Sequence, residues 1–168
     1  MQRTMTYTRV VVAVSAASVA LAVNASAQSS TTTVTREPGN YSRVTTVAGA
    51  AGKTATLQDN ASWGGGSYTN NRSITGFNGK TATSNRTGSY GAGNALRQTV
   101  MTGFNGKSTS YSNSATWGDG AFHDTRSYTG VNGGTVSRAM TRSGGIVTNM
   151  YTGRNGNSRT FNHRVRRR

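Results

Sequence analysis

The sequence predicts an all-β fold, an antiparallel meander of about eleven strands built from 27-residue double-hairpin repeats, and three observations carry that expectation. The motifs GAAGK at Gly49, GFNGK at Gly76, GFNGK at Gly103 and GVNGG at Gly130 start 27 residues apart, and GRNGN at Gly153 follows after 23. Between them lies a second kind of turn signal: Trp63-Gly-Gly-Gly66, Tyr90-Gly-Ala-Gly93 and Trp117-Gly-Asp-Gly120, with Glu37-Pro38-Gly39-Asn40 upstream. The runs joining these turns are rich in Thr, Tyr, Val and Ser and free of proline, which suits strands. Two closing shapes are open, a barrel or an open twisted sheet, with a β-solenoid of one coil per repeat as the competing fold.

The elements follow in chain order. Residues 1–27 carry Arg3 and Arg9, an apolar run from Val10 to Val23 and the small residues Ala25-Ser26-Ala27, the three parts of a signal peptide cleaved near Ala27. The run is short for a membrane span of about 20 residues. The expected location is therefore secreted: periplasmic, cell-surface or extracellular, with no integral membrane span in the mature chain. Residues 28–163 form a single β-repeat domain and residues 164–168 a basic tail. No cysteine is present, so neither disulfides nor thiolate metal sites are available.

Alternation sets the registers, because strand residues two apart share a face and so do cross-strand partners. For the aromatic-bearing faces to coincide, Gly103 must pair with Lys107 around Phe104-Asn105-Gly106, a type I turn with a glycine bulge. The same parity pairs Trp117 with Phe122 around Asp119-Gly120, and Trp63 with Tyr68 around Gly65-Gly66. Asp59 then falls opposite Arg72. The turn glycines are Gly39, Gly66, Gly79, Gly93, Gly106, Gly120, Gly133, Gly145 and Gly156. In the fourth unit the second turn is Ser143-Gly144-Gly145-Ile146 and the unit is four residues short, which a hairpin absorbs by losing two from each arm.

The two faces differ. One carries a ladder of hydroxyls: Thr56, Thr75 and Thr81; Thr83, Thr102 and Ser108; Ser110, Thr129 and Thr135. The other carries rings with Arg72, Arg86, Arg97, Arg126, Arg138 and Arg142, side chains that do not belong in lipid, so an outer-membrane barrel is excluded. Large aliphatics are scarce, with Leu57, Leu96, Ile74 and Ile146 the only leucines and isoleucines after the signal.

Charge points to partners. Of the 19 basic residues two lie in the signal, against four acids elsewhere, so the mature chain carries a net +13. All three lysines, Lys53, Lys80 and Lys107, sit at one place in the repeat beside the N-G turn, and Arg154 continues that rim. With the tail of Arg164, Arg166, Arg167 and Arg168 they are candidates to contact anionic polymers: polysaccharide, lipopolysaccharide or extracellular DNA. Lysine at hairpin rims also blocks edge pairing, the plain structural role.

Enzyme chemistry finds little support. Gly52-Lys53-Thr54, Gly79-Lys80-Thr81 and Gly106-Lys107-Ser108 resemble the end of a phosphate-binding P-loop, but Val47, Ile74 and Met101 stand where its first glycine belongs and strands follow instead of helices, so no nucleotide is expected. His123 and His163 are the only histidines, and adjacent His123 and Asp124 point to opposite faces of a strand. No catalytic residue, metal site or cofactor is expected.

The expected function is that of an exported, non-enzymatic β-repeat protein of the cell surface or extracellular matrix, structural or adhesive. Two resemblances give alternatives. Thr54-Ala55-Thr56 and Thr81-Ala82-Thr83 resemble the T-x-T faces of β-rich ice-binding proteins, which implies ice binding through the hydroxyl ladder. The Gly/Asn-punctuated hairpin units are similar to those of curlin-type amyloid subunits, though of different length and without fixed Gln ladders. That likeness implies a self-assembling fibre, with association through edge strands.

Overall fold

A computed structural model of the chain describes residues 29–165. Residues 1–27, where a signal peptide is expected, Gln28 and the last three arginines, Arg166, Arg167 and Arg168, lie outside the described residues. Eleven strands form one sheet in sequence order: β1 (Ser29–Glu37), β2 (Asn40–Ala48), β3 (Thr54–Gly64), β4 (Ser67–Thr75), β5 (Thr81–Gly91), β6 (Asn94–Thr102), β7 (Ser108–Gly118), β8 (Ala121–Thr129), β9 (Thr135–Ser143), β10 (Ile146–Thr152) and β11 (Ser158–Arg164). Every neighbouring pair is antiparallel. The meander is therefore as expected. It does not close: β1 and β11 stand at opposite ends of the sheet, which rules out the barrel, and the antiparallel neighbours rule out the solenoid.

The registers match those that alternation requires. Trp117 opposes Phe122, Trp63 opposes Tyr68, and Asp59 opposes Arg72. At the long-repeat turn, the Gly103 amide donates to the Lys107 carbonyl (2.9 Å), and the Gly106 amide to the Gly103 carbonyl (2.9 Å). Asn side chains lock these loops: Asn78 Oδ1 accepts from the Lys80 amide (3.1 Å) and Asn105 Oδ1 from the Lys107 amide (3.0 Å). The first copy departs from the others. Its Gly-Ala-Ala-Gly loop has no asparagine to make that bond, and Ala51 takes a left-handed φ of 59° inside a short 3-10 turn, Ala50–Gly52.

The second kind of turn is a two-residue loop. Asp119-Gly120 (φ 50° and 73°) and Gly65-Gly66 (55° and 75°) have both residues left-handed, the type I′ geometry that matches strand twist. These corners also tie neighbouring units together. The Gly39 carbonyl accepts from the Trp63 amide (2.8 Å), Gly66 from Tyr90 (2.7 Å), Gly93 from Trp117 (2.8 Å) and Gly145 from Val165 (2.8 Å). The shortened fourth unit loses two residues from each arm, since β9 has 9 residues and β10 has 7 against 11 and 9 in the hairpin before it. Its facing is unchanged, with Ser143 opposite Ile146.

Among the described residues no second layer covers either face. Among the described residues the buried hydrophobic side chains are Ala55 and Val147 alone. What holds the sheet is the backbone ladder, the interlocked corners and cross-strand side-chain pairs, each worth roughly 0.2–1 kcal/mol. Tyr68 illustrates the last, its ring lying over Gly88 on the next strand, where any side chain would collide with it. Arg164 is the final residue of β11 and opposes Ile146, so the strand runs one residue into the stretch assigned to the tail.

Candidate polyanion-binding face

The pairing registers sort every strand residue to one of two faces. The hydroxyl face is nearly free of charge; it carries Glu37 and Arg164 at the two ends of the sheet and His123 between. The opposite face carries nine arginines (Arg36, Arg43, Arg72, Arg86, Arg97, Arg126, Arg138, Arg142 and Arg159) against two aspartates, Asp59 and Asp124, a net of +7. Six of these arginines are the ones alternation places there. Arg36, Arg43 and Arg159 are additions, on the strands β1, β2 and β11 at the two ends of the sheet.

Rings interleave with the guanidinium groups. Arg36 lies over Tyr41 (5.7 Å to the ring centroid), Arg97 over Tyr111 (5.9 Å) and Arg138 over Tyr151 (5.7 Å). Tyr151 meets Phe161 edge to face at 6.1 Å. Between β8 and β11 the face forms a depression of about 540 Å³, lined by Phe122, Arg138, Met140, Arg142, Val147, Asn149 and His163.

Both aspartates are buried and spoken for. Asp59 accepts from Asn70 Nδ2 (2.9 Å) and Arg72 (2.8 Å), with Arg43 at 3.7 Å. Asp124 accepts from Asn113 Nδ2 (2.8 Å) and Arg126 Nε (2.8 Å). Burial pushes the Asp59 carboxyl up, but the hydrogen bonds from Arg72 and Asn70 and the charges of Arg72 and Arg43 outweigh it and hold its pKa below the ordinary 3.8. A group depressed in the folded state stabilises above its unfolded pKa and loses that contribution as pH falls through the folded value. Stability against thermal unfolding is therefore expected to fall below pH 3.8. Asp59→Asn removes this share of the acid sensitivity, and a variant that keeps the whole of it contradicts the assignment.

The predicted rim residues fall as follows. Lys53, Lys80 and Lys107 each end a turn in three successive units, their carbonyls accepting from Gly49 (2.8 Å), Gly76 (2.9 Å) and Gly103 (2.9 Å). Each immediately precedes a hydroxyl-face residue (Thr54, Thr81 or Ser108), so by strand parity the lysines extend the arginine face. Arg154 sits instead at the loop position that Phe77 and Phe104 hold, and its stem packs within 3.3 Å of where a Gly134 side chain would begin. Arg164 lies at the opposite rim.

The hydroxyl ladder forms in register. Thr56 opposes Thr75, Thr83 opposes Thr102, and Ser110 opposes Thr129. Its members bond to one another across the long-repeat turns: Thr75 with Thr81 (2.9 Å), Thr102 with Ser108 (2.7 Å) and Thr129 with Thr135 (2.8 Å). Those bonds give the ladder a role in the sheet itself.

The turn glycines Gly39, Gly66, Gly79, Gly93, Gly106, Gly120, Gly133, Gly145 and Gly156 all have φ between 73° and 78°. Among the described residues no helix is long and apolar enough to cross a membrane, and no group of three His, Asp or Glu side chains is placed to hold a metal. Comparison with known protein families, curated proteins and solved structures finds no match.

Proposed function

We propose that this chain is an exported, non-enzymatic β-repeat protein of the cell surface or extracellular matrix that holds anionic polymers on its arginine-and-ring face and lysine rim. The observation that supports the reading is charge segregation: nine arginines share one open face with two aspartates that are already hydrogen-bonded, while the other face is nearly uncharged. Salt screens such interactions, and every phosphate that a variant no longer neutralises lowers the log–log salt slope by about 0.7–0.9. Lys53→Ala, Lys80→Ala and Lys107→Ala together are expected to bring elution from heparin and DNA resins to lower salt. Retention that ignores the triple variant and the loss of Arg86 and Arg97 contradicts the proposal.

A second reading, self-assembly into fibres, has one observation in its favour. The outer edge of β1 is unpaired among the described residues, and its Thr31 to Thr35 run carries no charge to guard it. A species that stays monomeric by light scattering and gives no cross-β diffraction at high concentration removes this reading.

A further inference from the structure

The middle repeat unit lacks the acceptor that its neighbours share. In β3–β4, Asp59 takes hydrogen bonds from Asn70 and Arg72; in β7–β8 the acid and the amide have exchanged strands, so that Asn113 and Arg126 donate to Asp124. The equivalent places in β5–β6 hold Arg86, Arg97 and Thr99. Arg86 stands opposite Thr99 and Arg97 opposite Gly88, the same register relation that brings Asn70 to 2.9 Å from Asp59. Two guanidinium groups thus occupy the places where a carboxylate and an amide meet in the flanking units, and like charges there repel. Among the described residues no carboxylate pairs with either arginine. Thr99 is only 6% exposed, and its hydroxyl has no hydrogen-bond partner. Arg86 and Arg97 can only donate, and the spot offers them no carboxylate.

Exposed rings flank it. Trp63, Tyr90 and Trp117 share one repeat position and are 53%, 64% and 47% exposed. Trp63 aligns across β4 with Gly88, two residues short of Tyr90, so successive rings step obliquely by about 12 Å at the usual strand spacing and rise. We propose that Arg86, Arg97 and Thr99 form a subsite for the phosphodiester of a single-stranded nucleic acid, with Trp63, Tyr90 and Trp117 as platforms for its bases. This rests on the polyanion reading above and narrows it. Guanidinium forks fit phosphate oxygens, and ring faces stack bases without regard to sequence. A single strand offers a charge and a stackable face on every residue, whereas an acidic glycan commonly bears its charge on alternate sugars. The middle unit supplies two cations without carboxylate partners, Arg86 and Arg97, on the two strands that meet beside Tyr90, which suits the former. A duplex keeps its bases from the rings.

Trp63 and Trp117 are the only tryptophans in the chain, so intrinsic fluorescence reads the site directly. Oligothymidylate is expected to quench it saturably, less so as salt rises, with a duplex of equal length and polygalacturonate oligosaccharides binding more weakly. Tyr90→Ala should weaken oligothymidylate binding by roughly five- to 150-fold, the range for one stacked base. Arg86→Asp with Arg97→Asn rebuilds the flanking units' acid–amide pair. It should abolish binding while raising the unfolding temperature, a split that a merely structural role cannot produce. If oligothymidylate binding survives both variants but falls with the lysine triple, the subsite is wrong and the polyanion reading stands. Tighter polygalacturonate binding with the same ring dependence overturns the nucleic-acid assignment, and no binding of any probe overturns both readings.

Discussion

Gly66→Ala is expected to destabilise the sheet by roughly 2–4 kcal/mol in urea unfolding, against roughly 1–2 kcal/mol for Gly79→Ala. Both glycines are left-handed, at φ 75° and 74°, so both substitutions carry the strain of a side chain in that region. They differ in what surrounds them. A Cβ on Gly79 meets nothing within 4 Å, whereas one on Gly66 lies 2.5 Å from the Tyr90 carbonyl oxygen. The Gly66 carbonyl accepts the Tyr90 amide at 2.7 Å, so the methyl group pries apart a bond that joins one unit to the next. In a sheet with almost no buried hydrophobic side chains, such backbone ties carry an unusual share of stability. Equal effects at the two positions would show that the corners do not couple the units.

Deleting Ser114 alone is expected to abolish cooperative unfolding, while excising Thr116-Trp117 together with Phe122-His123 leaves a cooperative β-sheet. The side-chain period of a strand is two, so a single deletion sends Ala115 and Trp117 to the hydroxyl face and reverses β8 after them, or forces a bulge. The four-residue excision removes two opposed pairs, Thr116 with His123 and Trp117 with Phe122, and leaves all facing intact. The β9–β10 hairpin is already shorter by that amount. Circular dichroism and urea titration of the two variants separate these outcomes, and a cooperative single-deletion variant would contradict the register account.

The turns and faces were legible because their causes are local. Phe104-Asn105-Gly106 fixes its own loop, and once Gly103 meets Lys107 the parity of Trp117, Phe122 and Tyr128 follows. Closure was not legible, since a barrel and an open sheet share the same hairpins and differ only in whether β1 meets β11. The first loop also escaped, because Gly49 and Lys53 match the motif while Ala51 replaces the asparagine that locks it. Of the candidate site, the lysine rim shows in the repeat spacing. The packing of the Arg154 stem over Gly134 depends on two turns 20 residues apart meeting in space and gives no local sign. The exchange of Asp59 and Asn70 for Asn113 and Asp124 was there to be read by superposing the units, and so was Arg86 in the acid's place.

In this cysteine-free chain, disulfide mapping reads out whether consecutive strands run antiparallel as neighbours in one sheet. Thr83 and Thr102 are register partners on β5 and β6, whereas Thr56 and Thr83 lie two strands apart, beyond the roughly 7 Å between Cα atoms that a disulfide can span. Thr83→Cys with Thr102→Cys is expected to form an intrachain bridge under mild oxidation, and Thr56→Cys with Thr83→Cys is not. Efficient intrachain bridging of the second pair, with failure of the first, would contradict this strand order.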